Sequence, residues 1–316
     1  MIMKKISLVV SAYNEEQGLA EFARVTGSVM KAFCLPEGQE ERYAYELFFV
    51  NDGSSDGTGD VLAKLRGEDP EHVKVLTFSR NFGHEAAMCA GLDHADGDYL
   101  VFLDADLQHP PTLIPEIMKA FEDGAEVISM VRTGNKTAGL VKNLTSGMYY
   151  ALMNKISTVH MEPNASDFFA MDRKAAEVLR SSYRDKIRFL RGFLQNIGFK
   201  KAVLEYEAAP RVAGSSHYSL SKLFRLFIST VVSFSEVPLK LSVLAGILSF
   251  IAALALLIAG LIAGKGVMSG TMVILTVLCF LFAVLFLLLG IVGKYISVLY
   301  TEMKDRPVYI VKDLEK

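Results

Sequence analysis

Residues 99–111 read Tyr-Leu-Val-Phe-Leu-Asp-Ala-Asp-Leu-Gln-His-Pro-Pro, and this stretch decides the fold. Its first five residues are nearly all apolar, which is typical of a strand in a sheet that is covered on both faces. Two carboxylates, Asp104 and Asp106, follow where the strand ends. Carboxylates one residue apart can point at a common centre, and their hard oxygen atoms suit Mg²⁺ or Mn²⁺. The stretch therefore predicts a metal site at the edge of a sheet, with a solvated loop as the alternative.

The alternation of strand and helix continues on both sides of this stretch. Apolar runs of strand length predict further strands at residues 6–10, 46–50, 73–78 and 127–131. Helical patterns lie between them, at residues 15–33, 56–65, 84–94 and 111–122. This pattern indicates a mostly parallel α/β sheet, in which ligands bind beyond the carboxyl ends of the strands. Polar residues gather at those ends, in segments 13–15, 51–53 and 104–106.

A glycine-rich turn follows the second predicted strand, with the sequence Asn-Asp-Gly-Ser-Ser-Asp-Gly-Thr at residues 51–58. It lacks both the lysine of a phosphate-binding loop and the glycine spacing of a dinucleotide-binding fingerprint. Ser55 or Asp56 can cap the helix that follows. Capping leaves Asp52 unexplained, and we expect its carboxylate to accept hydrogen bonds from a base or a ribose.

The composition excludes several classes of protein. The chain has 316 residues, a formal net charge of −2 and 51% hydrophobic residues. A charge so close to neutral gives no reason to expect nucleic-acid binding. The apolar content is enough for a sizeable core, which excludes disorder. The three cysteines, Cys34, Cys89 and Cys279, form neither a disulfide framework nor a zinc motif, so we expect a reducing environment.

Two long apolar segments near the end of the chain predict a transmembrane hairpin. Residues 241–263 and 271–293 are uncharged, and at 23 residues each spans roughly 35 Å as a helix. The alternative is a pair of buried core helices, which rarely run so long without a charge. Lysines and arginines flank the hairpin outside the short connection, whose only cation is Lys265. This asymmetry predicts that both termini lie in the cytoplasm.

These patterns give a domain organisation. The first apolar run ends by Ala12 and is too short for a secretory signal, so we expect residues 1–219 to form a cytoplasmic domain. We expect a juxtamembrane amphipathic helix at 220–237, transmembrane helices at 238–264 and 271–294, and a cytoplasmic tail at 295–316.

Taken together, the motifs resemble those of the family 2 glycosyltransferases, in particular the polyprenyl-phosphate glycosyltransferases related to dolichyl-phosphate mannose synthase and the bactoprenol glucosyltransferases. The resemblance covers nearly the whole chain, through segments 10–16, 50–58, 80–83, 104–111, 188–192 and 300–307. It implies a GT-A nucleotide-sugar-binding fold, an α/β fold with a mostly parallel sheet, followed by the two-helix transmembrane hairpin.

The resemblance also implies roles for individual residues. The metal, Mg²⁺ or Mn²⁺, and the donor diphosphate would be held by Asp104, Asp106 and Gln108. The implied catalytic residues are Asp104, Asp106, Asp167 and Arg191. The implied nucleotide-sugar site comprises Ala12, Tyr13, Glu15, Asp52, Arg80, Asp104 and Arg211. The implied lipid-phosphate site comprises Arg132, Lys142 and Ser146, and the last two share a face if residues 137–156 are helical.

Four positions depart from the family pattern. Ser11 stands where relatives often have proline, a change that we expect to matter little. His84 and His217 stand where relatives commonly have lysine, and Phe169 stands where an arginine is frequent. These departures leave the phosphate contacts and the sugar preference open.

The implied reaction is an inverting transfer of a sugar from a UDP-sugar to undecaprenyl phosphate, at the cytoplasmic face of the bacterial inner membrane. Glucose is favoured, with N-acetylglucosamine or a modified aminosugar as alternatives. The product would be a lipid-linked sugar for the cell envelope. The implied partners are the UDP-sugar, undecaprenyl phosphate, the lipid bilayer and further copies of the chain in a homo-oligomer.

Two functions of other classes share parts of this pattern. A processive polysaccharide synthase normally carries a Gln-x-x-Arg-Trp motif and more membrane spans, whereas this chain has no Trp. A non-catalytic membrane scaffold would not need the intact Asp104, Asp106 and Arg211. Mn²⁺-dependent binding of UDP would separate an enzyme from a scaffold.

Overall fold

The computed structural model describes residues 3–35, 42–133, 162, 165–186, 188–207, 237–263 and 270–315. The chain divides into two compact units. The sheet unit comprises residues 1–151, 159–217 and 306–316, and the helical unit comprises residues 152–158 and 218–305.

An eight-stranded sheet forms the centre of the sheet unit. Its strands are β1 (Lys5–Ala12), β2 (Ala44–Asn51), β3 (Val73–Phe78), β4 (Tyr99–Asp104), β5 (Val127–Arg132), β6 (Ala165–Asp172), β7 (Lys201–Tyr206) and β8 (Val311–Glu315). Their order is β7-β5-β6-β4-β1-β2-β3-β8. Strand β1 pairs in parallel with β2 and with β4. Strands β2 and β3 are also parallel, and so are β5 and β7. Strand β6 is antiparallel to β4 and β5, and β8 is antiparallel to β3.

Six described helices accompany this sheet. They are α1 (Leu19–Cys34), α2 (Thr58–Glu68), α3 (His84–His94), α4 (Ile114–Glu122, preceded by the 3-10 turn Pro111–Leu113), α5 (Arg173–Ser182) and α6 (Leu190–Asn196). The five predicted strands and four predicted helices are all present, with boundaries shifted by a few residues. Strands β6, β7 and β8 and helices α5 and α6 were not predicted.

The central strands are covered on both faces, as their apolar sequences predict. Leu8 and Val10 lie on one face of β1 and Val9 on the other, and all three are buried. Helix α3 packs very closely on this part of the sheet, since a Cβ atom at Gly91 would lie 2.0 Å from Val9 Cγ1. Glycine is therefore required at this contact between helix and sheet.

In the sequence, the helical unit lies between the last strand, β8, and the other strands of its sheet. It adds an antiparallel strand to the outer side of β3, with Leu76 opposite Leu314. Residues before and after the apolar helices therefore complete one sheet. The prediction for residues 295–316 named a cytoplasmic tail and no strand, so β8 is an element that the sequence did not indicate.

The helical unit contains two long apolar helices, α7 (Val237–Ala263) and α8 (Gly270–Met303), which pack along each other. Large apolar side chains on them face outward, and Phe250 and Phe286 are each 67% exposed. Mean hydropathy reaches 2.1 in α7 and 3.1 in α8, so both helices are long and apolar enough to cross a membrane.

Helix α8 ends nine residues later than the predicted boundary at residue 294, at Met303. No Gly or Pro interrupts residues 295–303, so the helix continues past the end of the apolar segment. It stops just before Asp305, which has a left-handed backbone, and Pro307. The helices predicted at 220–237 and 137–156 lie almost wholly outside the described residues.

Candidate active site

The carboxyl ends of β1, β2 and β4 lie side by side. Ser11 is opposite Val50 on one side and Asp104 on the other, and Ala12 is opposite Asn51. The polar segments that follow these three strands therefore meet at one edge of the sheet, as the sequence predicts. This edge is the candidate active site.

The loops after β1 and β2 are joined by hydrogen bonds. Asn14 adopts a left-handed backbone, with a φ of 56°, and its Oδ1 accepts from the Ser55 N–H at 2.9 Å. The Glu15 N–H donates to Thr58 Oγ1 at 2.9 Å, and Glu16 Oε2 accepts from the Gly57 N–H at 2.7 Å. These bonds fix the rim of the site. Tyr13 is 47% exposed on this rim, where its ring is available to a planar ligand.

Asp52 ties two loops of the site together. The side chain is 2% exposed, and its carboxylate accepts from the backbone N–H groups of Phe82 at 2.6 Å and Gly83 at 2.9 Å. Burial raises the pKa of Asp52, while these two hydrogen bonds oppose the rise. Both carboxylate oxygens thus have partners within the chain, a role that the sequence interpretation of Asp52 as a base or ribose ligand did not include.

The backbones of these two loops are in direct contact. Gly53 has a φ of +62°, and a Cβ atom there would lie 2.2 Å from the carbonyl carbon of Arg80. Only glycine suits this position. The Arg80 guanidinium stacks over the Phe82 ring, 4.1 Å from its centroid, at the exposed end of the same loop.

The carboxylates of the predicted metal site lie in a tight turn at residues 104–108, which begins at the last residue of β4. We name it the metal turn after the ion that the sequence predicts there. The Asp104 N–H donates to His109 Nδ1 at 3.0 Å, and Asp106 Oδ1 accepts from the Gln108 N–H at 3.0 Å. Leu107 takes the left-handed backbone that this turn needs, with a φ of 59°. His109 is fully buried, and its desolvation lowers its pKa, so the imidazole is neutral and supports the Asp104 backbone.

The donor atoms of this turn fit a divalent cation in part. Carboxylate and amide oxygens of Asp104, Asp106 and Gln108 are the hard ligands that Mg²⁺ and Mn²⁺ prefer. Within the described ranges, no group of three or more His, Cys, Asp or Glu side chains is arranged to hold a metal by itself. The turn therefore suits an ion that takes its remaining ligands from a bound diphosphate and water, as Mg²⁺ commonly does.

A charged cluster lies next to Asp104. His84 Nδ1 is 2.8 Å from Ser11 Oγ and 3.8 Å from Asp104 Oδ1, while its Nε2 is 3.6 Å from Asp167 Oδ2. Arg191 Nη1 lies 3.3 Å from Asp167 Oδ1. The structure thus brings Asp167 and Arg191, both implied by the family resemblance, to the metal turn through His84.

The protonation states in this cluster follow from its charges. Desolvation lowers the pKa of His84, but the Asp167 contact and the charges of Asp104 and Asp167 outweigh it and raise the pKa to about 9. Desolvation would raise the pKa of Asp167, yet His84 and Arg191 hold it below its usual range. The cluster is therefore an imidazolium, a carboxylate and a guanidinium at neutral pH.

Glu85 lies near this cluster, and the sequence did not single it out. Its Oε2 accepts from the N–H of Leu190, the first residue of α6, at 3.0 Å. Desolvation, with the charge of Asp167, raises its pKa to about 7. Nothing in the sequence indicated this contact, because α6, the helix whose first N–H donates to Glu85, was not predicted.

Arg132, at the end of β5, lies beside the metal turn. Its Nη2 is 3.5 Å from Gln108 Oε1 and 3.3 Å from His109 Nε2, and its Nε donates to the Tyr206 hydroxyl at 3.0 Å. Tyr206 was missed because β7 was not predicted. The other residues implied for phosphate binding, Lys142, Ser146 and Arg211, lie outside the described residues.

Comparison with known proteins places this site in a family. The profile of "Glycosyl transferase family 2" matches residues 7–180. The chain is 36% identical to the bactoprenol glucosyl transferase of Shigella phage SfII, covering 98% of this chain and 97% of that protein. It is 34% identical to the prophage bactoprenol glucosyl transferase homolog of Escherichia coli K12, covering 99% of this chain and all of that protein.

A solved structure to which the chain shows similarity is glucosyl-3-phosphoglycerate synthase from Mycobacterium tuberculosis, in complex with Mn²⁺, UDP-glucose and phosphoglyceric acid. It is 17% identical, covers 73% of this chain and 79% of that chain, and gives a TM-score of 0.47.

The mostly parallel α/β sheet and the family match confirm the predicted fold class, an α/β glycosyltransferase of the GT-A fold. The chain belongs to glycosyl transferase family 2, and it is a glycosyltransferase.

Proposed function

We propose that this enzyme transfers a hexose, with glucose favoured, from a UDP-sugar to undecaprenyl phosphate with inversion at the anomeric carbon. The observation that carries the proposal is the position of Arg132, whose guanidinium lies 3.5 Å from Gln108 Oε1 in the metal turn. A phosphate-binding cation beside a metal-binding turn suits a reaction in which a diphosphate leaves and a phosphate attacks. The names of the relatives supply the acceptor class and favour glucose.

The donor would occupy the edge formed by the loops after β1, β2 and β4. Tyr13 offers an exposed ring to the base, and Asp104, Asp106 and Gln108 would hold Mg²⁺ or Mn²⁺ against the diphosphate. The cation would neutralise the charge that develops on the departing UDP. Asp167, which pairs with Arg191 Nη1 at 3.3 Å and faces His84, would orient the sugar or the acceptor.

The proposed chemistry is one displacement. An oxygen of the acceptor phosphate forms a bond to the anomeric carbon, while the bond from that carbon to the UDP oxygen breaks and UDP takes the electron pair. The acceptor is already an anion, so no strong general base is needed. Arg132 would hold and orient this phosphate, with Lys142 and Ser146, and positioning supplies much of the rate enhancement.

The test is to incubate the purified enzyme with undecaprenyl phosphate, Mn²⁺ and a panel of UDP-sugars, and to identify the lipid product by its mass. We expect the mass of one hexose to be added from UDP-glucose. Addition only from UDP-N-acetylglucosamine or from a modified aminosugar would change the proposed donor. No product with any sugar, despite Mn²⁺-dependent UDP binding, would contradict the proposed acceptor.

We also propose that the site faces the cytoplasm and that α7 and α8 cross the inner membrane as a hairpin. Two features support this: the flanking lysines and arginines, and strand β8, which joins β3 after the two helices. A hairpin returns the chain to the side it left, as the completed sheet requires.

Single-cysteine labelling tests this topology. In a cysteine-free background, an impermeant thiol reagent applied to intact cells should label a cysteine at Ser269, between the helices, but not at Ser54 or Ser297. After the cells are opened, Ser54 should become reactive, which provides the control. Labelling of Ser54 in intact cells would contradict the cytoplasmic placement and access to cytosolic UDP-sugars.

A further inference from the structure

The segment that follows the second apolar helix is fastened to the sheet unit by its backbone. Strand β8 pairs with β3 from Val75 to Phe78, and the Ser79 N–H donates to the Ile310 carbonyl at 3.0 Å. The loop at residues 80–83, which binds Asp52, begins immediately after these contacts. The tail therefore fixes the strand end that leads into a wall of the proposed donor site.

Arg66, on α2, holds the end of this tail. Its Nε lies 2.9 Å from Glu315 Oε2, and its Nη1 donates to the Glu315 carbonyl at 2.9 Å and to the Val73 carbonyl at 3.1 Å. One guanidinium thus bridges strands β3 and β8. Charge-assisted bonds of this kind are stronger than those between neutral groups.

Tyr309 connects the same tail to α3, the helix that follows the loop. Its hydroxyl donates to Asp93 Oδ2 at 2.8 Å, and the other Asp93 oxygen accepts from Arg184 Nη1 at 2.7 Å. Asp93 lies in the last turn of α3, the helix that begins at His84, directly after the loop. The elements on both sides of the loop, β3 and α3, are therefore attached to the tail.

A row of aromatic rings extends from the tail into the loop. The Tyr309 ring stacks on Phe78 with centroids 5.1 Å apart, and Phe78 contacts the Phe82 ring edge-on at 5.6 Å. The backbone N–H of Phe82 donates to Asp52 at 2.6 Å. Contacts are thus continuous from Tyr309 to the carboxylate that joins the loops after β2 and β3.

We propose that Tyr309 is a positioning residue, which together with β8 holds the loop at residues 80–83 in the conformation that binds the nucleotide of the donor. This inference rests on the proposed nucleotide-sugar site. Its physical basis is that a loop attached at both sides has fewer conformations to lose when a ligand binds. Because such coupling is reciprocal, bound nucleotide should also stabilise the docked tail.

The first test measures UDP affinity in the presence of Mn²⁺ with full-length variants. Tyr309→Ala removes the stacking and the bond to Asp93, and we expect it to weaken UDP binding at least about fivefold while the KM for undecaprenyl phosphate stays within about twofold. Tyr309→Phe keeps the stacked ring and should bind UDP more tightly than Tyr309→Ala. Lys312→Ala, at an exposed position of β8, is the matched control and should bind UDP as the wild type does.

Equal UDP affinity in Tyr309→Ala and the wild type would overturn the inference, and so would an equal loss in Lys312→Ala. A parallel rise in the acceptor KM would indicate a general structural defect instead and would equally overturn it. Failure of the wild type to bind UDP would contradict the proposed function itself. UDP binding that does not depend on Tyr309 would contradict only this inference.

The second test does not depend on any variant folding. In the wild-type enzyme, UDP with Mn²⁺ should slow amide hydrogen exchange at residues 310–315 at least about fivefold. Strand β7, at the opposite edge of the sheet, serves as the internal control and should change little. Unchanged exchange in β8 with bound UDP would overturn the inference.

Discussion

Asp106→Ala is expected to reduce sugar transfer by about 10³-fold or more, because the proposed metal site loses one of its two carboxylates. Stabilisation of a leaving group by a cation is worth several kcal/mol, and each 1.4 kcal/mol is about a factor of ten in rate. Activity is measured as the lipid-linked sugar formed from UDP-glucose. EDTA should inactivate the wild type to a similar extent, and Mg²⁺ or Mn²⁺ should restore it.

A structural role of Asp106 has to be separated from metal binding, because its Oδ1 also accepts from the Gln108 N–H. Asp106→Asn keeps an oxygen for this hydrogen bond but removes the charge, so it should be nearly as inactive as Asp106→Ala. Asp60→Ala, at an exposed position of α2, is the control for loss of a carboxylate and should retain activity. Full activity of Asp106→Asn, or of the wild type in EDTA, would refute the metal assignment.

Arg132→Ala should lower transfer to undecaprenyl phosphate by about 10²-fold, the second largest effect that we expect. A hydrogen bond to a charged group contributes about 1.5–3 kcal/mol, and the arginine would lose its contacts with the acceptor phosphate. UDP affinity should stay nearly unchanged if the residue serves the acceptor. Comparing transfer rates with UDP affinity, each in the same detergent preparation, separates the two sites.

The geometry makes this experiment informative, because Arg132 lies 3.5 Å from Gln108 Oε1. A parallel fall in UDP affinity would assign Arg132 to the donor diphosphate. No change in either quantity would assign the acceptor site to another part of the chain, and Arg188 and Arg191 would be the next residues to substitute. Arg24→Ala removes an exposed arginine of α1 and should affect neither quantity, so it controls for the change in net charge.

The sequence predicted the elements whose pattern is local. Apolar runs located β1 to β5, and the polar segments after three of them were correctly expected at one edge. The elements it missed depend on distant partners. Strand β7 has alternate residues exposed, and β8 has the charged sequence Val-Lys-Asp-Leu-Glu, so neither resembles a buried strand. Only pairing with β5 and β3 makes them strands.

The same reasoning explains which parts of the site could be predicted. Asp104, Asp106 and Gln108 are neighbours in sequence, so their proximity follows from one turn. His84, Asp167 and Arg191 come from α3, β6 and α6, and their cluster exists only because the sheet brings these elements together. Asp52 illustrates a further limit, since a motif can indicate that a carboxylate matters without revealing that backbone N–H groups are its partners.

The position of β8 after the two apolar helices constrains how the enzyme is synthesised. The bond between Arg66 and the Glu315 carbonyl joins residues 249 positions apart, so it forms only after the ribosome has made both apolar helices. Until then the outer edge of β3 is unpaired, and unpaired strand edges promote association between chains. Domains generally fold from the N-terminus during translation. A nascent chain would therefore hold an incomplete sheet until both apolar helices and β8 have been made, and the sheet would be completed last.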